Sequence, residues 1–431
     1  MKIVIIGAGS ASFGVSMIRD LLVCPELGSR GASLHLVDTD AAALDRAMLF
    51  ATKLKEHTGS DMTLEKSLDR RAALGGADHV IVSVARKRYE LWEQDFRVPL
   101  AHGFRHCLGE NGGPGAAFHA LRSFELVIPI CKDIEELCPD ALVLNFTNPE
   151  MRVLHAINHL TGVKAAGLCH GIGGAINTLQ TVLGRPADEF KIVSAGMNHL
   201  YAILKVTDRQ TGEDLLGEAK RRVLAAPVGE FPPLFRRILE VFDVFSFPSD
   251  DHIGEYVSFA EEFLGVKWPY GQESKPAVLD PPEPGPSWFD SFLDGAGPLP
   301  ERFLNPSGEL AVPIICDIDG DRKMYREAVN VLNTDLSIEN LPPGAVVEAP
   351  ATVDAAGIHP EKVGPLPEPF AAIIRPQLTI AELLTEAYRT GSKKLVLQAL
   401  LLDPVVNNSA EAEKMLDEML ELQADFLPVL E

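Results

Sequence analysis

Apolar residues recur along the chain in two rhythms. Short runs rich in Val, Ile and Leu stand at residues 2–6, 34–37, 79–84, 141–146 and 164–168. Such runs, a few residues long and without polar alternation, mark strands buried on both faces. Between them, residues 13–23, 40–57 and 121–137 repeat apolar positions every three or four residues, which buries one stripe of a helix. Alternating strands and helices predict an α/β fold with a parallel, doubly wound sheet. Residues 191–195 and 200–206 read as two further strands, and 379–430 as a return to helices. Prolines concentrate over 269–306, with Pro281, Pro282, Pro284 and Pro286 at the centre. Proline lacks the amide donor a helix needs, so this stretch is expected to be a long surface loop or lid.

A chain of 431 residues makes room for two or three domain-sized units and a deep cleft. The expected division is a Rossmann-like unit over 1–165 and an α+β unit with C-terminal helices over 166–431. The net charge is −22, from 39 basic and 61 acidic side chains. Such a surface repels nucleic acid and anionic membranes, so neither is an expected partner. No apolar run reaches membrane-spanning length, and the N-terminus lacks a leader's long apolar stretch. Cys24, Cys107, Cys131, Cys138, Cys169 and Cys316 show no CxxC spacing. That scatter argues for free thiols in a reducing, cytoplasmic compartment.

Gly7-x-Gly9-Ser10-x-Ser12 follows the first strand and opens a helix, and Asp38 ends the next strand. The first glycine permits the tight turn, and the second lets the backbone approach a pyrophosphate at the helix N-terminus. Ser12 replaces the third glycine with another small residue. Asp38 is placed to accept hydrogen bonds from ribose hydroxyls, which favours NAD over NADP.

Three polar clusters follow predicted strands: Asn145 to Pro149, Gly167 to Gly171, and Gly196 to His199. Ligands of open α/β sheets gather at the carboxyl ends of strands. Cys169 and His199 carry side chains competent to bind a metal, although a Cys and a His this far apart are more often core residues than ligands.

Taken in order, Gly7-x-Gly9-Ser10, the segment 108–115 (LGENGGPG), Asn148-Pro149, Gly167-x-Cys169-His170, Gly196-x-Asn198-His199 and the segments 346–354 and 357–360 resemble the signature segments of glycoside hydrolase family 4. The resemblance runs through nearly the whole chain. It implies a second unit like the C-terminal fold of lactate and malate dehydrogenases. It also implies an exception to two-carboxylate glycoside hydrolysis. NAD oxidises the sugar at carbon 3, and a divalent metal, usually manganese, polarises that oxygen. A base removes the proton at carbon 2 and the glycosidic oxygen is eliminated. Water then adds, and the hydride returns. By the same resemblance Cys169 and His199 are the metal ligands, Asn148 binds substrate, and Glu110 assists the base. Thiolate is soft and manganese hard, so modest affinity is expected.

The family's phospho-glycosidases use a tyrosine base; here the corresponding stretch holds Asp251, His252 and Tyr256, and the three compete for the role. The stretch also reads as a helix start capped by Ser249 or Asp250. His170 either protonates the leaving group or lines the pocket. Trp92 stands near a substrate-binding arginine of several relatives, with Arg86, Lys87 and Arg88 close by to compensate; Arg122 reads as a surface or structural residue. The expected substrate is a small glycoside, an α-linked hexoside, and the expected assembly a homo-oligomer, dimer or tetramer. A lactate- or malate-type dehydrogenase and a non-catalytic NAD-binding protein share the first half of the pattern. Neither needs the Cys169 and His199 pairing.

Overall fold

The computed structural model describes residues 1–10, 13–266 and 288–431. Among them are eleven strands: β1 (Lys2–Ile6), β2 (Ser33–Val37), β3 (Thr63–Ser67), β4 (His79–Val82), β5 (Leu142–Asn145), β6 (Lys164–Gly167), β7 (Phe190–Met197), β8 (Leu200–Asp208), β9 (Met324–Leu332), β10 (Val346–Asp354) and β11 (Gly357–Pro360). One sheet holds them in the order β3-β2-β1-β4-β5-β6-β9-β10-β7-β8, with β11 on β10. The first six run parallel. From β6 onward every pairing is antiparallel. The expected Rossmann-like half is therefore present, and an antiparallel half continues the same sheet.

The central strands β1, β4 and β5 are almost wholly buried, because helices cover both faces. One face packs against Gly14–Val23, Ala41–Thr58 and Ala311–Gly320 through residues such as Ile18, Phe50 and Ile315. The other packs against Gly115–Leu137, Glu150–Leu160 and the last three helices, Glu368–Thr390, Lys393–Leu401 and Ser409–Leu422. The C-terminal helices thus return to complete the core of the N-terminal half. A second core surrounds the β7–β8 hairpin, with Tyr201, Phe235 and Phe245 fully buried.

Two expectations need correction. The helix Trp288–Leu293 interrupts the proline-rich stretch, since no proline occurs between Pro286 and Pro298. Residues 267–287, the rest of the expected lid's centre, lie outside the described residues. The strand expected over 79–84 stops at Val82, freeing Ser83 and Val84 for the turn beside Gly7.

Candidate functional site

At the end of β1 the backbone passes through Gly7 with φ +92°, and a Cβ there would lie 1.9 Å from the Ser83 carbonyl oxygen. Only glycine meets both demands. The Gly9 amide donates to Asp38 Oδ2 at 2.8 Å, and the Asp40 amide to Oδ1 at 3.0 Å. The carboxylate ending β2 is therefore oriented by backbone before any ligand arrives. The Ser10 hydroxyl accepts from the Phe13 amide at 3.3 Å. Ser12 lies outside the described residues. Gly14, unremarked in the sequence, lets the first helix approach the glycine turn closely: a Cβ there would fall 2.2 Å from the Ala8 carbonyl oxygen. Its signal was a third glycine soon after the expected one.

The turn opens on a cleft of about 1230 Å³ whose lining includes Gly7, Gly9, Ser10, Asp38, Glu110 and Asn148. That exceeds the roughly 300–1,000 Å³ of ordinary ligand sites. Near Asp38 the lining includes Arg46, Arg70 and Arg71. Arg46 pairs with Asp290 at 2.5 Å, Arg70 with Asp133 at 2.6 Å, and Arg71 with Asp133 and Glu136. Each of these three guanidiniums already has a carboxylate partner.

Residues 108–115 form the loop that enters the helix Gly115–Leu137. Glu110, buried within it, accepts at Oε1 from Arg88 Nη2 at 2.8 Å and Asn148 Nδ2 at 3.1 Å. Trp92 is not a cleft residue: it is buried, and its indole N–H donates to the Leu108 carbonyl at 2.7 Å. Of its neighbours, Arg86 and Arg88 line the cleft, while exposed Lys87 reaches over Phe426. Arg122 is structural, gripping Asp95 through both carboxylate oxygens at 2.9 and 2.5 Å and bonding Gln423.

Cys169 follows β6, and His199 occupies the two-residue turn between β7 and β8. The Sγ–Nε2 distance is 3.1 Å. His199 has φ +66°, a left-handed conformation that costs a non-glycine residue about 1 kcal/mol and aims this imidazole at the thiol. Burial lowers the His199 pKa well below its ordinary value, so the ring is neutral. Burial, with Glu348 nearby, pushes the Cys169 thiol up to about 12. A divalent cation would have to displace that proton, as metals do at thiol sites.

The three base candidates lie differently about this pair. The His199 and His252 rings stack with centroids 4.2 Å apart, and His252 Nδ1 is buried without a hydrogen-bond partner. Asp251 is exposed, and its carboxylate accepts from the Ser249 hydroxyl at 2.5 Å and the His252 amide at 3.0 Å. Tyr256 is buried, with its hydroxyl directed at the Asn198 carbonyl at 3.4 Å, and burial raises its pKa well above the ordinary value. Asp250 caps the neighbouring helix Pro233–Phe242 rather than its own, accepting from Leu234 and Phe235 amides at 2.9 and 2.8 Å.

Glu255 was missed. Its Oε1 accepts from the amides of Glu110, Asn111 and Gly112 at 2.6, 2.8 and 3.2 Å. Its Oε2 is buried without a partner, and ligand atoms of Glu255, His199 and His252 lie within 4.8 Å of one another. Cys169 and His199 are not part of the cleft lining; Glu255 links them to Glu110, which is. The Cys169 thiol, the His199 imidazole it touches and the unsatisfied Glu255 oxygen near that imidazole offer the donor types a divalent cation takes. His170, mostly exposed, pairs through Nδ1 with Glu309 at 3.2 Å, and that hydrogen bond raises its pKa. Glu309 lies 139 residues away in sequence, and nothing in the sequence marked it.

A dinucleotide-type turn, a wide cleft and a buried thiol–imidazole pair together define a cofactor-binding α/β enzyme fold with a metal-competent centre. The chain belongs to family 4 of the glycosyl hydrolases and is an enzyme of that type. The pattern described as family 4 glycosyl hydrolase matches residues 2–185, and that of its C-terminal domain residues 194–406. An alpha-glucosidase of Erwinia rhapontici is 29% identical, over 100% of this chain and 99% of its own length. An alpha-galactosidase of Bacillus subtilis (strain 168) is 30% identical over 99% of both. The structure of a 6-phospho-alpha-glucosidase from gut microorganisms, solved in complex with NAD and Mn2+, superimposes with a TM-score of 0.85. It is 20% identical, covering 100% of this chain and 99% of its own. Malate dehydrogenase from Plasmodium falciparum shares the fold more loosely, with a TM-score of 0.51 at 12% identity over 92% of this chain and 99% of its own. The dehydrogenase-like second half was thus a sound expectation.

Proposed function

We propose that the protein hydrolyses an α-linked hexoside with NAD and a divalent metal, manganese, as resident cofactors. The observation that carries this reading is the contact of Cys169 with His199, joined through Glu255 to a dinucleotide-sized cleft. The relatives named for α-glucoside and α-galactoside substrates support the anomeric assignment.

Gly7, Gly9 and Ser10 would cradle the pyrophosphate, with Ser12 in the same turn, and Asp38 would hold the ribose. Cys169 and His199 would hold the metal. When bound, NAD supplies reversible hydride transfer at carbon 3 and the metal supplies Lewis-acid polarisation of the oxygen there. Asn148 and Arg88, both tied to Glu110, would position the sugar hydroxyls. His252 takes the proton from carbon 2: its ring stacks on His199 and its Nδ1 is buried without a hydrogen-bond partner. His170, with Glu309 behind it, delivers a proton to the departing oxygen.

In this reading residues 1–165 carry the nucleotide and residues 166–431 the metal, with Glu110 and Asn148 reaching across. Six free cysteines support a cytoplasmic location. Exposed Leu401, Leu402 and Leu422 near the C-terminal helices support a homo-oligomer, dimer or tetramer, that covers them.

The test is nitrophenol release from a panel of α- and β-glycosides, with and without a 6-phosphate. Each is run with NAD, manganese and a thiol reductant, then with either cofactor withheld. Release from an α-hexoside that stops when either is withheld is the expected result. Release without NAD, or only from β-glycosides, overturns the reading.

A further inference from the structure

Two thiols that this chemistry does not use meet behind the nucleotide-binding half. Cys24 sits between the helices Gly14–Val23 and Pro25–Ser29, and Cys316 lies on the helix Ala311–Gly320. Their sulfur atoms are 3.6 Å apart, although 292 residues separate them in sequence. A disulfide needs about 2.0 Å, so the approach still required is small.

The interface holding them is built from several independent contacts. Arg322 pairs with Glu26 and Arg30 with Asp319. The Ser307 amide donates to Asp20 Oδ1 at 2.8 Å. Leu21, Leu22 and Ile315 belong to one apolar core. The contact between the thiols is therefore a feature of a packed junction. Cys24 is half-buried and open to a small oxidant, whereas Cys316 is 6% exposed. The sulfur contact with Cys316, the Leu27 amide and the Arg322 guanidinium lower the pKa of the Cys24 thiol, which favours its thiolate. Burial pushes Cys107, Cys131 and Cys138 the other way.

We propose that Cys24 and Cys316 are an oxidation site that forms a reversible disulfide on meeting a hydroperoxide. The Cys24 thiolate attacks a peroxide oxygen; the O–O bond breaks, hydroxide leaves and Cys24 becomes a sulfenic acid. The Cys316 sulfur then attacks the Cys24 sulfur; the S–S bond forms, the S–O bond breaks, and water leaves carrying the Cys316 proton. Two thiols and one hydrogen peroxide give one disulfide and two waters. The bond fastens the segment around residue 309 to the first helix pair, and Glu309 in that segment holds His170. The site is separate from Cys169.

The test treats the full chain with stoichiometric hydrogen peroxide, blocks remaining thiols under denaturing conditions, and maps peptides by mass spectrometry. The expected product is a peptide cross-linked through Cys24 and Cys316 that dithiothreitol resolves. In Cys316→Ser, Cys24 is expected to stop at a sulfenic acid that dimedone traps. The proposal is overturned if both cysteines stay alkylatable at a dose that oxidises Cys169. It is equally overturned if Cys24 passes to sulfinic acid in the unmodified protein with no cross-link.

Discussion

The Cys169 sulfur lies 3.1 Å from Nε2 of His199, and this contact joins the end of a parallel strand to the turn of an antiparallel hairpin. The junction of the two halves of the sheet is what makes it possible. Neither partner touches the glycine turn that would hold a dinucleotide. Cys169→Ser should therefore weaken manganese binding by about 10²-fold or more, the scale seen when metal-site groups are altered. NAD affinity should change by less than about threefold, or roughly 0.7 kcal/mol. Manganese titration by electron paramagnetic resonance and NAD binding by calorimetry read the two separately.

In the proposed reading, cofactor choice rests on Asp38 and on the pairing of Arg70 and Arg71 with Asp133. The protein should bind NAD well ahead of NADP. Asp38→Ser should cost about tenfold in NAD affinity, equivalent to 1.4 kcal/mol, without creating NADP binding. Adding Asp133→Asn, which frees Arg70 and leaves Arg71 paired with Glu136 alone, should raise NADP affinity. Calorimetric titration of both nucleotides against both variants checks this.

Glu255 ties the loop bearing Glu110 to the helix bearing His252 through three amide hydrogen bonds to one buried oxygen. Removing it strands three buried donors. Glu255→Ala should cost about 3 kcal/mol or more in urea unfolding and disorder the loop. Glu255→Gln, which keeps an acceptor, should lose less stability.

Glu348 is buried on β10, and desolvation raises its pKa to about 8. The unfolded value is about 4.3. An acid whose pKa is raised by folding favours the folded state while protonated. Its contribution is fully present below about pH 4.3 and is lost as pH rises toward 8, by no more than about 5 kcal/mol. Glu348→Gln, which mimics the protonated acid, should therefore gain stability relative to the unmodified protein as pH rises from 5 to 8. Thermal melts across that range would show parallel curves if Glu348 ionised normally in the fold.

Much of the parallel half was legible because its strands are buried on both faces and read as unbroken apolar runs, as in β1 and β4. The edge strand β3 was not, because it reads TLEKS and buries none of its residues. The segment 346–354 was recognised by resemblance, but its identity as strand β10 was not, since Glu348, Pro350 and Thr352 break the apolar run. Within the site, residues adjacent to strand ends were readable, as with Asp38, Cys169 and His199. Glu255 and Glu309 were not, because their importance comes from what they touch across 143 to 145 residues in one case and 139 in the other. Asp251 and Tyr256 looked equivalent to His252 in sequence. A short helix turns the first outward and buries the second.

The central claim is that His252 removes the carbon-2 proton beside the Cys169–His199 centre. The most direct test is hydrolysis of the active α-hexoside in heavy water, with NAD and manganese present, followed by nuclear magnetic resonance of the sugar product. The account predicts deuterium at carbon 2 in the product of the unmodified protein and of Asp251→Asn. It predicts loss of incorporation, by about 10²-fold or more in rate, in His252→Ala. A product with ordinary hydrogen at carbon 2, or full incorporation by His252→Ala, would contradict it.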